Sequence, residues 1–89
     1  MSTAKHVTYS GRVQGVGFRY TADRIAEEFG VNGYVRNLPT GEVELAAEGE
    51  AEIVDAFLAA LAQRMTRYIE QNSVRDESVG GYKDFQIRH

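Results

Sequence analysis

Over residues 5–13 the chain alternates. Val7, Tyr9, Gly11 and Val13 fall on one side, and His6, Thr8, Ser10 and Arg12 on the other. This period of two marks a half-buried strand. From Phe18 onward the period lengthens: Ala22, Ile25, Ala26 and Phe29 follow at offsets of 4, 7, 8 and 11, which is one face of a helix. The change of period takes place across Gln14-Gly15-Val16-Gly17. A strand that turns within a few residues into a helix is the strongest constraint on what this chain can fold into.

The remaining segments extend that start. Gly30 sits where a helix commonly ends in the left-handed conformation. Residues 31–36 form a second strand, with Val31, Gly33 and Val35 on one face. Asn37-Leu38-Pro39-Thr40-Gly41 is a tight connection rich in turn formers. Residues 42–48 form a third strand with Val43, Leu45 and Ala47 facing one way, so the two strands make a hairpin. Residues 50–65 are the clearest helix, with Val54, Phe57, Leu58, Leu61 and Met65 as its apolar stripe and Glu50 and Glu52 at its positive end. Residues 67–77 read as an edge strand or partly as loop, because they carry many polar side chains. Gly80-Gly81 marks a turn, and residues 82–88 alternate again with Phe85 and Ile87 inward.

The order predicts an α+β fold, a ferredoxin-like α/β sandwich: βαββαβ, an antiparallel sheet of four or five strands, and two helices on one face. In that topology the first two strands are parallel to each other and separated by the third. The loop after the first strand and the end of the second then meet at one sheet edge. Two strand spacings, about 10 Å, lie between them, a gap that side chains and a bound phosphate group can bridge.

Bulk composition narrows the function. Eighty-nine residues, 43% of them hydrophobic, supply one core and one domain, 1–89. A monomer is the default at this size. The net charge of −3 and pI near 5.3 argue against a general binder of nucleic acid or anionic membranes. The chain has no cysteine, which excludes disulfides, thiolate catalysis and thiolate metal sites and fits a cytoplasmic enzyme. Its first residues contain no apolar core of a signal peptide, and no run approaches the roughly 18 apolar residues of a membrane span. His6 and His89 are far apart in sequence, so neither a metal pair nor a catalytic histidine is expected. Glu42, Glu44, Glu48, Glu50 and Glu52 alternate and read as solvated faces, and no Asp-rich cluster suited to Mg²⁺ is present.

The segment Gly11-Arg12-Val13-Gln14-Gly15-Val16-Gly17-Phe18-Arg19 reads as a phosphate cradle. Backbone N–H groups converge on such a turn, and the helix N-terminus adds its positive dipole. Arg19 opposes that dipole unless an anion lies nearby, and its forked donors match phosphate oxygens. The glycines taken alone equally suit a sharp strand-to-helix connection. They are neither a dinucleotide fingerprint nor a Walker A loop. Asn37 is likewise ambiguous in isolation, since asparagine suits a turn. Placed beside the cradle, its amide can accept a hydrogen bond from water while donating one to a phosphate oxygen.

That segment, followed by Gly33-Tyr34-Val35-Arg36-Asn37-Leu38-Pro39-Thr40-Gly41-Glu42-Val43-Glu44, resembles the acylphosphatase family in both its signature motifs and their spacing. The resemblance runs from about Lys5 to Ile87. It implies a ferredoxin-like enzyme that hydrolyses the carboxyl–phosphate bond of acyl phosphates to a carboxylate and inorganic phosphate, without metal or cofactor. It carries the essential arginine onto Arg19 and the essential asparagine onto Asn37. The phosphate-binding loop falls on Gln14, Gly15, Val16, Gly17 and Phe18, ending at Arg19. Thr40 departs from the aspartate that many relatives carry in the turn. Two rivals stand beside this reading. An RNA-recognition module shares the element order but needs a basic surface and exposed sheet aromatics. An accessory domain of a larger carbamoyl-transferring protein shares the motif.

Overall fold

The computed structural model describes residues 2–89. Its elements are β1 (Ser2–Gly11), α1 (Phe18–Phe29), β2 (Asn32–Asn37), β3 (Val43–Glu50), α2 (Ala51–Arg64), β4 (Ile69–Glu77) and β5 (Phe85–Arg88). The expected order is therefore present, and the polar stretch of uncertain character is a nine-residue strand. The sheet runs β4-β1-β3-β2-β5. Both β1 and β2 are antiparallel to β3, hence parallel to each other. Tyr9 of β1 and Asn37 of β2 both pair with Val43, so these two strands end level at one sheet edge.

The core lies between the sheet and a single layer of helices. α1 packs on β2 and β5, α2 on β1 and β3, and the helices touch each other. Val7, Tyr9, Val35, Val43 and Leu45 project from the sheet to meet Phe18, Ile25, Phe57 and Leu61, all 2% exposed or less. The Phe57 ring ties three elements together, with centroids 6.5 Å from Phe29 and 5.9 Å from Phe85. Each such edge-on contact adds about 0.5–1.5 kcal/mol beyond area burial. Gly33 lets β2 lie close against β3. Its φ is +144°, and a Cβ there would stand 1.9 Å from the Ala46 carbonyl oxygen. No other residue fits that position without moving a backbone.

One pairing corrects the expectation of an antiparallel sheet: β5 runs parallel to β2. The cause is the route of the chain. β4 pairs antiparallel with β1, from Gly11 opposite Ile69 to Ala4 opposite Glu77, and so ends at the edge far from residues 12–17. To reach the free side of β2, residues 78–84 cross the sheet's helix-free face. β5 must then run back toward the first edge, in the direction of β1 and β2.

That crossing also corrects the reading of the alternating glutamates as solvated. Glu48 is 6% exposed. Its Oε1 accepts the N–H groups of Gly80 (2.6 Å) and Gly81 (3.0 Å), and its Oε2 that of Tyr82 (2.8 Å). Asn32 donates to the Tyr82 carbonyl at 3.0 Å, and the rings of Tyr34 and Tyr82 meet with centroids 5.9 Å apart. Glu44 is the second case. Its Oε1 accepts Arg36 Nε (2.6 Å) and the Tyr34 hydroxyl (3.0 Å), and its Oε2 lies 2.9 Å from His6 Nε2. Burial by itself would raise its pKa, but the hydrogen bonds with His6, Tyr34 and Arg36 outweigh burial and hold the carboxyl below its usual range. Tyr34 is pushed up to about 12, first by burial and then by its bond to Glu44.

Candidate functional site

Residues 12–17 join β1 to α1. The loop is tethered on both sides. The Arg12 N–H donates to the Tyr68 carbonyl at 2.9 Å. Gln14 Nε2 donates to the carbonyls of Leu38 (2.8 Å) and Glu42 (2.9 Å). The Gln14 side chain is thus committed to tying the loop to the β2–β3 hairpin.

Within the loop, Gly15 and Gly17 have φ of +77° and +78°, and Val16 between them does not have a positive φ. Alternation of handedness turns successive N–H groups toward one concave side, the geometry of an anion nest. Gly17 is also the N-cap of α1, with no side-chain cap hydrogen bond and no acid in the first turn. The positive end of the helix therefore opens onto the loop's concavity. Phe18 pins that end in place: it is 2% exposed and its ring centroid lies 4.9 Å from that of Tyr9 on β1. Burial in turn raises the pKa of Tyr9 well above its ordinary value, keeping it neutral in the core.

Arg19, in the first turn of α1, is half-buried. Its Nη1 donates to the Arg88 carbonyl at 3.4 Å and lies 3.3 Å from His89 Nδ1. Asn37 is half-buried at the end of β2. The hairpin turn is closed without it. Leu38 N–H donates to the Glu42 carbonyl (2.8 Å) and Gly41 N–H to the Leu38 carbonyl (3.1 Å). Thr40 Oγ1 accepts the Glu42 N–H (3.3 Å) and donates to Glu42 Oε1 (2.9 Å), so the threonine itself helps close the turn. Among the described residues the Asn37 amide makes no hydrogen bond. Turn closure does not explain its presence.

A pocket of about 240 Å³ gathers these groups. Of the residues expected there, Gly15, Gly17, Phe18, Arg19 and Asn37 line it, whereas Gln14 and Val16 do not. Val13, Tyr20, Ile87 and His89 complete the wall. Sequence reasoning missed Tyr20 and His89, although the alternation of Phe85 and Ile87 extends to residue 89 and placed it on the same face. The lining residues include an arginine, an asparagine and two loop glycines, and no Asp or Glu is among them. A chain of net charge −3 thus keeps one concave patch suited to a small anion.

Comparison with known proteins agrees with this geometry. The family model for acylphosphatase matches residues 5–87. The acylphosphatase of Methanospirillum hungatei is 42% identical over 81 residues, covering 89% of each chain. Among solved structures, the acylphosphatase of Bacillus subtilis superposes with a TM-score of 0.89 at 30% identity, over the full length of both chains. The HypF protein of T. kodakarensis gives 0.85 at 31% identity, covering 98% of this chain and 12% of its own. Two signature segments that meet in one pocket, a family match across nearly every residue and a shared fold lead to one assignment: the chain belongs to the acylphosphatase family.

Proposed function

We propose that the chain hydrolyses the carboxyl–phosphate bond of acyl phosphates by direct attack of water on phosphorus, with Arg19 and Asn37 as its catalytic residues. The phosphate sits in the N–H groups of the 14–19 loop, with the Arg19 guanidinium across two of its oxygens. Asn37 accepts one hydrogen bond from the attacking water and donates one to a phosphate oxygen. The oxygen of water bonds to phosphorus, the bond from phosphorus to the acyl oxygen breaks, and the carboxylate leaves with the electron pair. The proton of the water passes to a phosphate oxygen. Charge spread over the equatorial oxygens meets fixed donors that need no rearrangement. An acyl phosphate carries a good leaving group, so positioning and electrostatics suffice without a strong base.

The observation that carries this reading is the amide of Asn37, unengaged by the turn and bordering the same pocket as Arg19. The lining complements an anion with its own donors, which supports a reaction independent of metal. Inorganic phosphate is then product and competitive inhibitor. The acidic balance of the chain supports a small-molecule substrate over nucleic acid, and its size and lack of cysteine accord with a monomeric cytoplasmic enzyme. Hydrolysis of benzoyl phosphate in excess EDTA, with inorganic phosphate as competitor, tests the proposal. Turnover is expected to survive the chelator and to fall with added phosphate. Activity abolished by EDTA, or indifferent to phosphate, would overturn it.

A further inference from the structure

The cradle recognises phosphate and leaves open how the acyl part is held. Among the described residues, four large apolar side chains are exposed: Tyr20, Ile53, Val74 and Val79. Of these, Tyr20 alone borders the pocket of Arg19 and Asn37. It follows Arg19 directly on α1 and is 60% exposed. Its ring is nonetheless held in place. Arg24, one turn further along the helix, donates from Nη1 to the Tyr20 hydroxyl at 2.7 Å, with its guanidinium carbon 5.6 Å from the ring centroid. A flat apolar surface, fixed at the mouth of a phosphate site, is the form in which a side chain recognises another flat apolar group.

The direction of the reaction points the same way. In-line displacement puts the attacking water and the departing carboxylate on opposite sides of phosphorus. Asn37 belongs to the sheet, whereas Tyr20 belongs to the helix layer. A phosphate held by the loop and Arg19, with its water on Asn37, turns its acyl group away from the sheet and toward the ring of Tyr20. We propose that Tyr20 is the specificity-determining residue of the site, a platform on which an aromatic or otherwise flat apolar acyl group stacks. The enzyme then prefers aryl acyl phosphates over small aliphatic ones. This rests on the hydrolytic reading above.

The test compares benzoyl phosphate with acetyl phosphate in the wild-type chain, Tyr20→Ala and Tyr20→Phe. Tyr20→Ala is expected to raise KM for benzoyl phosphate by about three- to tenfold, the range an aromatic contact supplies. KM for acetyl phosphate and the inhibition constant of inorganic phosphate should stay within about twofold, because the cradle is untouched. Tyr20→Phe should retain the wild-type preference, since it keeps the ring and loses only the hydroxyl held by Arg24. If both substrates weaken together in Tyr20→Ala, or if Tyr20→Phe behaves as Tyr20→Ala does, the tyrosine merely props the helix and the platform is wrong. A wild-type chain inert on both compounds would overturn the hydrolytic reading and the platform with it. A wild-type chain active on both but insensitive to Tyr20→Ala would overturn the platform alone.

Discussion

At the scale of single residues, the proposed mechanism divides its tasks between a charge, Arg19, and an amide, Asn37. Arg19 is permanently charged and presents two parallel donors, so in the proposed mechanism it acts on the phosphate in both ground and transition states. Arg19→Ala is expected to lower kcat by about 10²–10³, the cost of removing such a donor, and to weaken inhibition by inorganic phosphate at the same time. Arg19→Lys should fall nearly as far, because a point charge cannot replace the fork. Asn37→Ala should lower kcat by a comparable factor, about 10² or more, while phosphate inhibition changes little. Steady-state kinetics on benzoyl phosphate with phosphate as inhibitor separates the two patterns. Near-normal turnover in Asn37→Ala would refute its water-positioning role. Both residues were legible as candidates because each sits in a motif whose spacing is demanding, and both line the same pocket. Gln14 was legible as part of the loop but not in its task, because a side chain's partner 24 residues away in sequence leaves no local trace.

At the scale of elements, the helix-free face of the sheet is the part that sequence pattern misread. Alternating glutamates on a strand ordinarily face solvent. Here residues 78–84 cover Glu48, and Glu44 is enclosed by His6, Tyr34 and Arg36. The two carboxylates are therefore structural anchors. Glu44 links β1, β2 and β3, and its pKa is lowered in the folded state. A lowered carboxyl pKa contributes stability that is present above the unfolded value and is lost as pH falls through the folded one. The ordinary value is 4.5, so this contribution is complete near neutrality and declines below about pH 5.5. Glu44→Gln is expected to cost about 1.5–3 kcal/mol near neutral pH, the range for hydrogen bonds to a charged group, and to flatten the acid side of the Tm-against-pH curve. Thermal melts between pH 3 and pH 7, a span of roughly one titration on either side of the ordinary value, check both. An unchanged slope in the variant would show that Glu44 is not a source of acid sensitivity.

At the scale of the whole molecule, the pocket is where four remote stretches of chain meet: the loop after β1, the start of α1, the end of β2 and the end of β5. Anion binding there must therefore stabilise the entire fold. At a phosphate concentration about tenfold above Kd, linkage contributes about 1.4 kcal/mol, and for a domain of this size that raises Tm by roughly 6–11 °C. Differential scanning calorimetry with phosphate and with chloride at equal ionic strength measures it. An equal rise with chloride would assign the effect to screening and remove the cradle from the explanation.

The sequence by itself determined the local events: the switch from period two to period 3.6 across 14–17, the hairpin about Leu38-Pro39-Thr40-Gly41, the stripe of α2 and the two signature motifs. These are set by torsional preference and by the side to which successive side chains point, both of which act over a few residues. Only the tertiary structure decided that β5 runs parallel to β2, that Glu48 is a buried anchor and Glu44 a half-buried one, and that Tyr20 and His89 border the site. The setting of Glu44 follows from strand pairing that brings His6, Tyr34 and Arg36 around it, whereas the direction of β5, the burial of Glu48 and the place of His89 follow from the route of residues 78–84 over the sheet. That route is decided by long-range closure of the chain and by hydrogen bonds such as those from residues 80–82 to Glu48, whose partners lie more than 30 positions apart, beyond the reach of any periodicity.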